Sequence, residues 1–390
     1  MSTLRAFALQ RLTPPAQGRY LVAWWAVGVT SLITFYIMFT AVPHVMSRAG
    51  EPPALAGAAT AVLVGGAILG ELAAPALVAR QGILKASAWA LVTMAASCTP
   101  QLSATSQLAL GSATLRGVGF GIVMVTLYVG VARHTTRDQL GTALGITGLL
   151  AAIAPTAALP LGSLGTSLVM WVAATTAALG LVAIWTLRAM TDTLGERRER
   201  PRVSLTLHAP RRLRILLAFG VAAGSAGILM TYLPTSGLLP DGVVAVALVV
   251  YSGSAAAGRL LAGIAGNHRR LERLMPAALA ATAGGLAVVA IHPSAAAGVV
   301  AVAIVGGGFG SMQSLSLQAL LSESSADVTA VSAAWNLTYD VGLGAGPLLL
   351  GFLLMRASTA AGFLGLAAFC LLVAVIYVVT DKMPRREEAV

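Results

Sequence analysis

The feature that most constrains this chain is a succession of twelve apolar runs near twenty residues long, parted by short loops. At 1.5 Å per residue such a run spans the ~30 Å hydrocarbon core of a bilayer. Inside lipid, every backbone N–H and C=O must be satisfied by the protein itself, so a spanning segment is a helix or part of a closed barrel. The ten-residue alternation of barrel strands is absent, which leaves helices. The fold class is therefore an all-α polytopic membrane protein. The predicted spans are 20–45, 55–79, 84–98, 108–132, 140–164 and 168–187, then 215–238, 243–265, 275–291, 296–321, 328–355 and 360–379. Charged residues make up only 10% of the chain, against about a quarter in soluble domains. The first run is too long for a signal-peptide core and lacks a small-residue cleavage site, so it reads as a span.

One connection breaks the pattern. Thr191 to Arg214, TDTLGERRERPRVSLTLHAPRRLR, is polar, basic and nearly central. It divides the chain into a six-span half at 1–190, a linker at 191–214 and a second six-span half at 215–390. The net charge of +11 follows the same plan. All but four of the 25 Lys and Arg fall in the N-terminal tail, alternate loops, the linker and the C-terminal tail. Arg48 and Arg356 occupy the other loops, and Arg116 and Arg259 lie inside spans. That alternation predicts cytoplasmic termini and a cytoplasmic linker, in a bacterial cytoplasmic (inner) membrane. The positive charge thus describes topology and points to no nucleic acid.

The halves repeat each other. Gly70-Glu71-Leu72-Ala73 in the second span is matched 188 residues on by Gly258-Arg259-Leu260-Leu261 in the eighth. Arg116-Gly117-Val118-Gly119-Phe120-Gly121 in the fourth span is followed, 189 residues later, by Gly306-Gly307-Gly308-Phe309-Gly310 in the tenth. Ala154-Pro155 in the fifth corresponds to Gly346-Pro347 in the eleventh. Three matches in one order describe two related six-helix bundles, a parallel repeat found in transporters.

With these residues in view, the chain resembles the major facilitator superfamily over nearly its whole length. The resemblance implies twelve helices in two pseudo-symmetric six-helix bundles, a central cavity and rocking alternate access. The family's loop after the second helix usually reads G-x-L-A-D-R-x-G-R-R. Arg80 and Gly82 match it, whereas Ala79 replaces the aspartate and Ile83-Leu84 replace the basic pair. Arg116 followed by glycines is similar to the family's fourth-helix arginine motif, associated with coupling in proton-driven members. The fifth-helix antiporter motif is eroded to Gly145, Gly148, Ala154 and Pro155.

Four ionisable residues stand well inside spans: Glu71, Arg116, Arg259 and Asp340. Each costs at least ~2.5–3.5 kcal/mol to insert, so each faces a cavity or a partner. The family fold packs the second helix against the eleventh, which would put Glu71 and Asp340 at one interface as proton carriers. The other reading is an ion-pair gate, with Asp340 held by Arg80 or Arg259. Arg116 either contacts an anion or a carboxylate, or bonds backbone carbonyls and packs its span.

Cavity-lining candidates are Tyr36, Phe39, Met124, Tyr128, Tyr232, Met312, Gln313 and Gln318, with Asn336 and Tyr339 from the eleventh span. Aromatic and Met surfaces suit varied amphipathic ligands; helix packing or lipid contact is the alternative for each. The glycine runs lie in helical spans, not after a strand, and neither Lys85 nor Lys382 sits in a Gly-Lys-Ser/Thr context, so nucleotide loops are not expected. Cys98 and Cys370 have no metal or disulfide spacing, and no nucleophile–base set stands out, so no cofactor and no enzyme are expected. The leading expectation is a monomeric, proton-coupled exporter of small amphipathic organic molecules. Its partners are the substrate, protons and the lipid bilayer. The alternatives are an organic-anion carrier using Arg116, or a non-transporting membrane receptor or assembly protein.

Overall fold

The computed structural model describes residues 15–98, 106–135, 139–190, 210–264, 268–291, 294–322 and 328–382. The described residues form twelve α-helices and one 3-10 turn. The first six are α1 Pro15–Arg48, α2 Pro53–Gln81, α3 Ile83–Ala96, α4 Ser106–Arg133, α5 Leu140–Ser163 and α6 Ser167–Met190. The last six are α7 Pro210–Tyr232, α8 Asp241–Ile264, α9 His268–Ile291, α10 Ala295–Leu321, α11 Val328–Leu354 and α12 Thr359–Lys382.

Eleven of these are long and apolar enough to cross a membrane. The exception is α3, whose 14 residues cover about 21 Å at helical rise. It ends at Ala96, with Ser97 as its C-cap donating its backbone N–H to the Thr93 carbonyl. α7 starts five residues earlier than the sequence predicts. Pro210 fits the first helical position, where its missing N–H is no loss, so Arg211, Arg212 and Arg214 join the helix. The rest of the linker, 191–209, lies outside the described residues.

The backbone forms two compact units, Met1–Val45 with Val62–Glu199, and Met46–Ala61 with Arg200–Val390. In the first unit α1 is the hub. Thr34 donates to the Ala173 carbonyl of α6 at 3.0 Å, and Thr40 to the Leu159 carbonyl of α5 at 3.1 Å. Trp25 donates its indole N–H to Thr147 of α5 at 3.0 Å. Trp24, Val27, Leu91, Met94, Val123 and Leu127 form the core beside it. In the second unit α7 is enclosed throughout its last eleven residues, Ala222 to Tyr232. Its basic start is tied down: Arg211 donates to the Ala319 carbonyl at 3.1 Å, and Arg214 lies 4.7 Å from the Tyr377 ring centre.

The repeat read from the sequence is a repeat of contacts. A Cβ on Gly117 would strike the Leu63 carbonyl, and one on Gly306 would strike that of Tyr251. Gly121 meets the Ala67 carbonyl, Gly310 that of Ala255; Gly70 meets that of Val118, Gly258 that of Gly307. Each pair, glycines and the carbonyls they pack against alike, is 188 or 189 residues apart. The α2–α4 seam is therefore rebuilt contact for contact as the α8–α10 seam. In both, backbone touches backbone, the closest approach small residues permit in lipid.

Candidate functional site

The seams fix where the intramembrane charges stand. In the first unit Glu71 follows the seam glycine Gly70, which holds that turn of α2 against α4. Glu71 is half-buried, and its carboxylate has no hydrogen-bond or ion-pair partner among the described residues. In the second unit Arg259 follows Gly258 in the same way and is likewise half-buried. Its carbonyl accepts from Ser314 at 2.6 Å, while its guanidinium has no partner among the described residues. Arg80 is exposed at the end of α2. Neither Arg80 nor Arg259 forms an ion pair among the described residues. Asp340 itself is half-buried on α11, in the second unit.

Arg116 is fully buried. One terminal nitrogen donates to the Ser97 carbonyl at the end of α3 at 2.6 Å, beside Cys98. Its Nε and Nη1 are enclosed without partners. The corresponding residue of the second unit is Val305, also fully buried. Arg116 thus points into the α3–α4 packing and bonds a backbone carbonyl.

Aromatic side chains gather on the same helices. In the first unit Phe35 of α1 stacks on Phe120 of α4, centroids 4.0 Å apart. Tyr36 and Phe39 adjoin Phe35 at 5.4 and 5.8 Å, Tyr36 half-buried and Phe39 fully buried. Met124 is half-buried against the α1–α3–α4 core, and Tyr128 is exposed.

In the second unit five rings from four helices lie nearly parallel. Phe219 stacks on Trp335 at 4.6 Å and on Tyr339 at 6.2 Å. Tyr339 continues to Phe309 at 6.3 Å, and Phe309 to Tyr251 at 6.3 Å. Trp335 is fixed by a 2.9 Å bond from its indole N–H to Ser316. Within this stack only Tyr339 is more than slightly exposed, and Asn336 is exposed one turn before Asp340.

The other expected lining residues are placed differently. Met312 is fully buried and Gln313 half-buried. Gln318 donates to the Ala262 carbonyl of α8 at 3.4 Å. Tyr232 is buried, its hydroxyl within 2.9 Å of the Pro53 and Pro347 carbonyls. Phe35, Phe120, Phe219, Tyr251, Phe309 and Trp335 belong to these clusters as well, beyond the residues expected from the sequence. Two signals for them existed: the Gly-Phe-Gly at 119–121 recurring at 308–310, and the one-turn spacing of Trp335 and Tyr339.

Chemically, the first unit offers a half-buried carboxylate without a partner among the described residues, and a cluster of stacked aromatic rings. The second offers a guanidinium without a partner among the described residues, a carboxylate next to an accessible tyrosine, and a deeper ring stack. Such groups can exchange protons, attract an opposite charge and stack on planar apolar ligands.

Comparison with known proteins adds the family. The sequence profile of the Major Facilitator Superfamily matches residues 24–347. No curated protein matches the sequence. Among solved structures, a bacterial homolog of the human lysosomal transporter Spinster, inward-facing and occupied, aligns with TM-score 0.74 at 13% identity. The alignment covers 95% of this chain and 97% of that one. A mutant of the nucleoside transporter NupG aligns with TM-score 0.74 at 14% identity, covering 93% and 100%. At these identities the likeness is one of fold.

Proposed function

Because the chain belongs to the Major Facilitator Superfamily and is a multi-pass membrane transporter, we propose that it is a proton-coupled secondary exporter of small amphipathic organic molecules, working by alternating access. The observation that carries this reading is Glu71: a carboxylate in the middle of an apolar helix, half-buried and without a partner among the described residues. A group so placed can take up a proton on one side and release it on the other. Asp340 is the second candidate carrier, beside the accessible Tyr339. The parallel rings of each unit suit amphipathic molecules that carry a planar group. Nucleosides, for which one structural neighbour is named, belong to that class.

Arg116 has no open surface and is bonded to Ser97, which supports a packing role over that of anion contact. The protein would work as a monomer in a bacterial inner membrane, termini inside. The test is a proteoliposome flux screen over planar amphipathic compounds, with and without an imposed pH gradient. Flux of at least one compound that rises with the gradient is expected. Flux indifferent to the gradient across the panel would exclude proton coupling.

A further inference from the structure

At its C-terminal end, in the second unit, α7 closes on a socket. Its last residue, Tyr232, is 2% exposed, and its hydroxyl lies 2.9 Å from each of two backbone carbonyls, Pro53 of α2 and Pro347 of α11. A phenol has one proton, so the two acceptors share one donor. Glycines make the room. A Cβ on Gly57 would meet the Pro347 carbonyl and the Tyr232 hydroxyl, and one on Gly351 would meet the same hydroxyl and the Pro53 carbonyl. Beside this socket, Thr60 and Thr231 face each other hydroxyl to hydroxyl at 3.0 Å, both buried.

All these residues belong to the second unit, because Met46–Ala61 is grouped with it; from Val62 onward α2 belongs to the first. One continuous helix is thus divided between two compact units. What attaches its first turns to the second unit includes a shared tyrosine proton and a hydroxyl pair. Water can replace every one of these bonds when the contact opens. As in the α2–α4 seam, glycines bring backbone against backbone here, Gly57 against the Pro347 carbonyl and Gly351 against that of Pro53. What the start of α2 has in addition is a set of hydrogen bonds that solvent can take over.

We propose that Tyr232 is the peg of a conformational clasp, holding the start of α2 to α7 and α11 when this end is closed and releasing it when the end opens. The proposal rests on the alternating-access reading above and assigns Tyr232 a positioning role, not a substrate contact. Tyr232→Phe keeps the ring in its socket and removes the shared proton. Loss of one such hydrogen bond should move the closed-to-open ratio roughly two- to tenfold toward open. Gly351→Ala should act in the same direction by crowding the hydroxyl.

The experiment places spin labels at Pro52 and Ser358, both exposed, in the full chain in nanodiscs, and reads their distance distribution by pulsed electron resonance. The unsubstituted protein should give a dominant short distance, and Tyr232→Phe should add a longer population. Thr60→Val, which removes one hydroxyl of the neighbouring pair, gives a second reading should Tyr232→Phe not fold. Distributions that coincide with the parent's in the folded variants would overturn the clasp. So would lost substrate binding by Tyr232→Phe at unchanged distances, which would make Tyr232 a ligand contact. A longer population without gradient-driven flux would uphold the clasp and count against proton coupling alone.

Discussion

Glu71 and Arg259 occupy equivalent places in the two units. Each is half-buried, and each follows the glycine that presses its helix onto a neighbour, Gly70 on α4 and Gly258 on α10. The scaffold is repeated while the charge is inverted. One half of the repeat thus carries a carboxylate and the other a guanidinium at the same place.

Neutralising the carboxylate should therefore separate coupling from binding. Glu71→Gln is expected to abolish pH-gradient-driven flux in liposomes while substrate exchange persists, and Asp340→Asn to do so if it shares the proton. Full gradient-driven flux in both variants would remove both from the coupling path.

Arg116 donates one hydrogen bond, to the Ser97 carbonyl, and leaves two nitrogens enclosed without partners. Burying a charge costs stability unless it is paired and fully hydrogen-bonded. Arg116→Met should therefore raise the thermal unfolding midpoint in detergent or leave it unchanged. A fall of several degrees would show that the guanidinium is well satisfied in the native protein.

Seam glycines and open glycines should part company. Gly117→Ala and Gly310→Ala put a methyl group against a backbone carbonyl, and such overpacking costs typically about 1–3 kcal/mol. Gly65 and Gly253 have nothing within 4 Å of an added Cβ. Alanine there should stabilise the helix by roughly 0.5–1 kcal/mol. Thermal denaturation of the four variants should rank them in two groups, and a single group would contradict the seam.

His134 links stability to pH. It lies beyond the end of α4, stacked on Tyr20 at 4.5 Å, with Nδ1 2.7 Å from the Gly130 carbonyl. Burial first, and then the neighbouring Arg133, hold its imidazole below the usual histidine range, although the Gly130 bond opposes the shift. A base that protonates less readily folded than unfolded favours the folded state above its unfolded pKa, ~6.5. That preference is lost as pH falls below this value. The unfolding midpoint should drop between about pH 7 and 5, and His134→Phe should flatten that part of the profile. An unchanged slope would show that other groups govern it.

The helices and their repeat were legible because bilayer thickness sets span length and because close packing in lipid demands glycine. Which face of a helix meets the protein was not legible. In water an apolar stripe marks the buried side, whereas lipid makes the outer face apolar too. Trp335 in the ring stack and the exposed Trp185 therefore look alike in sequence. For the same reason Tyr232 and Gln318 resemble cavity-lining residues, although both bond neighbouring backbone. Nor could an unbroken apolar run disclose that α2 is divided at Ala61 between two units.

The seams also show which differences a repeated membrane scaffold accommodates. An acidic residue at 71 corresponds to a basic one at 259, and arginine at 116 to valine at 305. One residue from each of these sites, Gly70 with Gly258 and Gly117 with Gly306 are the same in both repeats. Inside the membrane, where charge is costly, the two repeats differ by a whole charge. At the seams they do not differ by a methyl group, because there a Cβ would strike backbone.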